Sequence, residues 1–204
     1  NNINGPIDPE QIRAQQVGYY ACITHIDYQI GRLIQTLTDD DSLKDTIILF
    51  ISDHGEMLSD HCFIRKSLPY RGSANIPFIV SGPGVRCGAV SQSVVELRDV
   101  LPTLVELGGG EVPKSIEGLS LKGELTDGTP ISRGFVHGEH TYGSLGNHFI
   151  VTPHDKYVWF TQSNSPLGRE QYFDLDKDPD EKHNAINDEQ YAARIAEMRG
   201  WLIE

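Results

Sequence analysis

This 204-residue chain is short of cysteine, of positive charge and of long apolar runs, and each shortage removes a class of protein. Its three cysteines, Cys22, Cys62 and Cys87, are an odd number without CxxC spacing, which supports neither a disulfide framework nor a zinc knuckle. Lys and Arg number 17 against 29 Asp and Glu, a net charge of -12. Nucleic-acid affinity rests on clustered cations that displace counterions from phosphates, so this balance argues against a nucleic-acid partner. Any anion the protein handles must be held by a local arrangement. No stretch approaches the roughly 18 consecutive apolar residues of a membrane span. The opening Asn1-Asn2-Ile3-Asn4-Gly5-Pro6 lacks the basic-then-apolar order of a signal peptide, and the compartment stays open.

What is present is α/β grammar. With 38% hydrophobic residues the chain can bury a core as one domain, or as one domain with a smaller appendage. A long helix is announced by Asp8 as N-cap, Pro9 at the first helical position, and Glu10 and Gln11 in the first turn. Val17, Tyr20, Ile23, Ile26, Ile30, Leu33 and Leu37 follow at three- and four-residue steps, the spacing of a face turned to a core. His25 falls mid-helix and takes no catalytic role. The acidic triplet Asp39-Asp40-Asp41 reads as a solvated helix end rather than a cation site. Thr46 to Ile51 is a β-branched and aromatic run, the pattern of a strand covered on both faces as in a parallel sheet. A second strand is expected from Ile76 to Ser81, closed by Gly82-Pro83-Gly84. A short strand near Ser93 to Glu96 leads to a helix with Asp99 near its cap, Pro102 in its first turn and Gly108-Gly109-Gly110 at its end.

After Gly118 the texture changes. Ser132 to His137, His148 to Thr152, Tyr157 to Thr161 and Gln171 to Leu175 are short, separated by turn residues, and read as an antiparallel meander. Ser163 to Gly168 is a plain loop. A last helix from about Asp188 carries Ile195, Met198 and Leu202 on one side and is expected to pack on the small sheet. The implied division is an α/β portion over residues 1–129 and a small α+β subdomain over 130–204.

In open α/β sheets ligands bind beyond the carboxyl ends of strands, which singles out Asp53 and His54 after the apolar run. Gly55 would let the backbone turn sharply there. A carboxylate suits Ca²⁺ or Mg²⁺ and an imidazole suits transition metals, so the mixed pair does not name an ion. An isolated Asp-His-Gly is more simply a capped turn, and an isolated Lys66 a solvated charge. The context, a buried strand delivering the pair and a polar loop returning the lysine, points to a site.

The segments "YYACITHIDYQIGRLI", "DTIILFISDHGEMLSDHCFIRK" and "YRGSANIPFIVSGPG" resemble the C-terminal half of type I sulfatases, in the alkaline-phosphatase-like superfamily. The likeness continues through "LRDVLPTLVELGG" and "IEGLSL" to "EQYFDLDKDPDEKHNAI", nearly the whole chain. The resemblance implies an alkaline-phosphatase-like sheet, lacking its N-terminal half, followed by a small antiparallel sheet with a helix. It places two ligands of a divalent cation, commonly Ca²⁺, on Asp53 and His54, and a catalytic, sulfate-contacting lysine on Lys66. His61 lies in "SDH", where relatives often carry "GDH", so Ser59 stands at a frequent glycine; His61 is carried as a substrate contact. Glu139 and His140 fall near the family's active-site rim, with structural pairing the simpler reading.

The resemblance also marks what is missing. The family's nucleophile is a formylglycine made from a Cys/Ser-x-Pro-x-Arg motif. Cys22, Cys62 and Cys87 are followed by Ile-Thr-His, Phe-Ile-Arg and Gly-Ala-Val, and no serine fits. The expectation is therefore a fragment of a larger hydrolase, inactive alone, whose formylglycine lies upstream and whose substrate is a sulfated small molecule or carbohydrate. A periplasmic or secreted setting would suit such a parent. The alternatives are a phosphate or phosphonate ester hydrolase of the same superfamily and a non-catalytic binding module.

Overall fold

The computed structural model describes residues 7–142, 145–162 and 168–202. Most of the loop expected at Ser163 to Gly168 lies outside them. Helix α1 spans Pro9–Asp39, and its start is as the sequence indicates: Asp8 is the N-cap and its carboxylate accepts the Glu10 N–H at 2.9 Å. Its apolar stripe, however, does not face a core. No α1 residue is buried, and Val17, Tyr20, Ile23, Ile26 and Leu33 are about half exposed or more. Helical periodicity says which residues gain from burial; it cannot say that an element stands opposite them. The acidic helix end is solvated as expected, with Asp41 paired to Lys44 on the surface.

Strand β1, Ile48–Ile51, pairs with a later strand across a connection that contains the single-turn helix α2, Arg71–Ala74. That strand is β2, Phe78–Ser81, and the pair is antiparallel, Ile48 opposite Ser81 and Ile51 opposite Phe78. The expectation of a parallel-sheet strand buried on both faces is corrected here: Phe50 and Ile79 are exposed. A parallel partner needs a crossover that packs over the sheet, and the connection between these strands instead returns to the adjacent edge. The register sets the end of β1 that delivers Asp53 beside the start of β2.

The strand expected near Ser93 to Glu96 does not form. Glu96 is extended, at φ −142° and ψ 165°, and it opens a capping box with Asp99. Extended backbone becomes strand only through a paired neighbour, and the structure uses this segment to start helix α3, Val100–Leu107, ended by Gly108 and a left-handed Gly109. Asp99 is fully buried and held by both Arg133 Nη atoms and by the Leu119 N–H at 2.8 Å. A short helix, α4, spans Lys122–Thr126.

The meander is β3 (Val136–Tyr142), β4 (Leu145–Val151), β5 (Asp155–Phe160) and β6 (Glu170–Asp174), antiparallel throughout in that order. β3 begins four residues later than expected, because Val136 is the first residue paired, to Val151. One face sets Ile150, Tyr157 and Tyr172 against Ile195 and Met198 of helix α5, Ala192–Trp201. The other sets Val158, Phe160 and Phe173 against Met57, Phe63 and Tyr70 of the segment that follows β1. At about 1.5–3 kcal/mol for each large apolar side chain fully buried, these two clusters are the main source of hydrophobic stability. The second places the small sheet directly under the candidate site.

Candidate active site

The segment after β1 is closed by short-range bonds. The Ser52 hydroxyl donates to the His54 carbonyl at 2.7 Å, and Asp53 Oδ1 accepts the His54 N–H at 3.0 Å. His54 Nδ1 lies 2.8 Å from the Gly55 carbonyl oxygen. A carbonyl can only accept, so Nδ1 carries a proton, and in the neutral ring Nε2 keeps its lone pair, 3.7 Å from Asp53 Oδ2. Two electron-pair donors thus converge, with the Asp53 side chain 84% exposed. Gly55 earns its place by close approach rather than by a left-handed turn. A Cβ there would sit 2.1 Å from the Gly72 carbonyl oxygen, and its N–H donates to Ser73 at 2.9 Å. This contact pins the Asp53–His54 turn to the Tyr70–Ser73 segment.

The loop from Glu56 to Ser67 is tightly wound. Met57 N–H donates to the Arg65 carbonyl at 2.8 Å, and the Glu56 carboxylate accepts the Arg65 N–H, closing the loop at its base. Lys66, one residue on, is therefore returned beside Glu56, and its side chain is exposed. Leu58, Ser59, His61, Cys62, Arg65 and Ser67 all have positive φ, a concentration of strain that persists only where surrounding structure enforces it. Ser59, at φ +81°, occupies the left-handed region that glycine favours. The enforcement comes from below, where Met57 and Phe63 insert into the small sheet's core. His61 stacks on Tyr70, ring centroids 4.2 Å apart. Burial, partly offset by a hydrogen bond to Gln171, pushes the Tyr70 hydroxyl up to about 12.

His61 lines a cleft of about 850 Å³ with Asp60, Arg71, Asn75, Asp180 and Lys182. The cleft reaches Ile76 and Pro77 at the start of β2, hence the same end of the β1–β2 pair that carries Asp53 and His54. Asp53, His54 and Lys66 do not line it; Asp53 and Lys66 are exposed and His54 is half-buried. The structure thus joins His61 to a cleft and Asp53 to His54, while Lys66 is near them through the backbone only. Glu139 is in the middle of β3 and faces His148, 3.5 Å from its Nδ1, which is the structural pairing expected for it. His140 is exposed on the opposite face of the strand.

One functional support escaped sequence reasoning. Lys156 of β5 and Glu181 form a buried ion pair; Lys156 Nζ also donates to the Pro69 carbonyl at 2.9 Å, and Glu181 accepts the Arg71 N–H at 2.6 Å. Burial pulls the Lys156 ammonium down, against the pull of Glu181. The pair fastens the Asp178–Lys182 turn and the small sheet to the cleft wall. A lysine at an inward position of a strand is the one available signal, since burial of lysine requires a partner.

Residues 6–110 match the sulfatase family model, and residues 59–204 match the model for the C-terminal part of N-sulphoglucosamine sulphohydrolase. The chain belongs to the sulfatase family. This sulfatase chain is 45% identical to an arylsulfatase of Clostridium perfringens, over all of its own length and 42% of the relative's. Its fold superposes with a TM-score of 0.80 and 27% identity on a protein solved with its substrate D-glucosamine-2-N,6-O-disulfate, over 88% of this chain and 38% of that one. It also superposes on the phosphonate monoester hydrolase of Agrobacterium radiobacter, at TM-score 0.76 and 29% identity, over 91% and 40%. The alkaline-phosphatase-like architecture expected from the sequence is thereby met. The sulfatase chain spans less than half the length of the relatives it matches.

Proposed function

We propose that the chain is the C-terminal part of a sulfuric ester hydrolase and supplies one half of its reaction centre. The supporting observation is the pair at the end of β1: Asp53 Oδ2 and His54 Nε2 converge at 3.7 Å. A carboxylate oxygen and an imidazole nitrogen fit a divalent cation such as Ca²⁺ as a partial donor set, since Ca²⁺ takes six to eight ligands, chiefly oxygens. The remaining ligands and the formylglycine belong to the proposal's larger protein, and this chain alone is inactive. A cation so held neutralises ester oxygens as charge builds on them. Lys66 contributes a positive charge to the sulfate, and His61 meets the rest of the substrate from the cleft. The uncovered stripe of α1 packs, in this reading, against the rest of that protein. A sulfated carbohydrate is the proposed substrate class, in keeping with the disulfated glucosamine of the structural relative.

The superposition on a phosphonate monoester hydrolase supports a second reading, because phosphonate and sulfate esters present similar tetrahedral anions. Turnover of an aryl sulfate and of an aryl phosphonate by the intact protein separates the two. Sulfatase activity is expected to dominate, and Asp53→Ala and Lys66→Ala are each expected to lower kcat by on the order of 10²–10³, as for removal of a single stabilising group. Unchanged turnover in both variants eliminates the site.

A further inference from the structure

We propose that His137, Glu139 and His148 form a second cation site, specific for a transition-metal dication of the zinc class and separate from Asp53 and His54. The site is independent of the proposed hydrolase chemistry. It rests on strand geometry. His137 and Glu139 are two residues apart on β3 and therefore share a face, and His148 of β4 stands directly opposite Glu139. His137 Nε2 lies 3.3 Å from His148 Nδ1, and His148 Nδ1 lies 3.5 Å from Glu139 Oε2. All three donor atoms fall within 4.8 Å of one another.

The two separations from His148 are close to those a small tetrahedral ion requires. With a Zn–N distance of about 2.0–2.1 Å, two ligands on a tetrahedron are about 3.3 Å apart. Ca²⁺ and Mg²⁺ fit poorly, since both prefer oxygen donors and two of the three donors here are imidazoles. The set of two histidines and one carboxylate leaves a fourth position for water or a solute, and the partial exposure of all three residues gives it access from solvent. The row lies on the face of the sheet that α5 covers at Ile150, Tyr157 and Tyr172, so a paired and packed sheet holds the ligands in advance. Trp159 flanks the site, its ring 5.7 Å from that of His148.

The test uses Zn²⁺, Co²⁺ and Ni²⁺ as probes of the intact protein carrying Asp53→Ala and His54→Ala, which removes the first site. One equivalent of Zn²⁺ is expected by calorimetry, with visible Co²⁺ d–d bands and Ni²⁺ quenching of tryptophan fluorescence that disappears in Trp159→Phe. His137→Ala, His148→Ala and Glu139→Gln are each expected to weaken Zn²⁺ binding by at least the 10–100-fold typical of a lost supporting partner. All three positions are at least partly exposed, and an unchanged circular dichroism spectrum confirms that each variant folds. His137→Gln and His148→Gln stand in for any alanine variant that does not. Absence of a Zn²⁺ equivalent, or one that survives His137→Ala and His148→Ala together, overturns the proposal.

Discussion

The small antiparallel sheet and the α1–β1–β2 region both carry large apolar side chains, yet in one they are covered and in the other many are not. In the sheet, Ile150, Tyr157 and Tyr172 are covered by α5, and Val158, Phe160 and Phe173 by the site loop. In the other region, Leu33 is 67% exposed and Ile79 59%. The contrast teaches where this chain's own stability lies. It also shows how the site loop, although it follows β1, draws its rigidity from the C-terminal half.

The largest effect on that contrast is expected from Lys156→Met. It strands Glu181 as a buried unpaired charge and should cost about 3–5 kcal/mol, read as a lowered urea midpoint. A variant as stable as the parent would show that the pair does not tie the two halves together. Next is Gly55→Ala, whose Cβ must displace the Gly72 backbone; overpacking of this kind costs about 1–3 kcal/mol. The same variant should reduce cation affinity at the proposed Asp53–His54 site, whereas wild-type affinity would mean the close approach is dispensable.

The buried carboxylates allow a test by pH. Burial alone would raise Asp99 and Asp155, but hydrogen bonds and charge from Arg133 and Arg194 respectively, with further donors, hold both below the usual carboxylate range. Because the folded values are depressed, the stability they add is complete above the unfolded carboxylate value near 4. It is lost as pH falls through the folded values. Thermal melts should therefore drop steeply on the acid side, and Arg133→Ala should flatten that limb; an identical limb in the variant would refute the linkage.

Smaller effects sharpen the comparison. Ser59→Gly should stabilise by up to about 1 kcal/mol, because only glycine occupies a left-handed position without strain. Destabilisation instead would mean that its weak contact with Gln15 outweighs that strain. Ile23→Ser should shift this chain's stability by no more than about 0.5 kcal/mol, as at an exposed site. In the intact protein, where α1 is proposed to be covered, the loss should be several times larger; equal values would leave the stripe without a partner.

Local signals were the readable ones. Asp8 and Pro9 announced α1, the spaced Ile195 and Met198 announced the helix on the small sheet, and short segments separated by turn residues announced the meander. Asp53 and His54 stood out because they follow an apolar strand, and the fold brings their side chains to 3.7 Å. The antiparallel pairing of β1 with β2 was not, since a four-residue apolar strand reads alike in either direction. Nor was the unpaired segment at Ser93 to Glu96, because propensity does not report whether a neighbour is present. Lys156–Glu181 and His137–Glu139–His148 were invisible as groups, their members being brought together only by register and packing.

What the sequence determined by itself is the set of local choices: where helices start and stop, which short segments turn residues set apart, and which polar groups follow a strand. These depend on interactions within a few residues, and the chain order contains them. What the tertiary structure decided is partnership: the direction of pairing, the burial of a lysine beside a glutamate, and the bare face of α1. Each depends on residues distant in sequence or on the absence of an opposing surface, and folding alone brings such groups within the few ångströms over which they act.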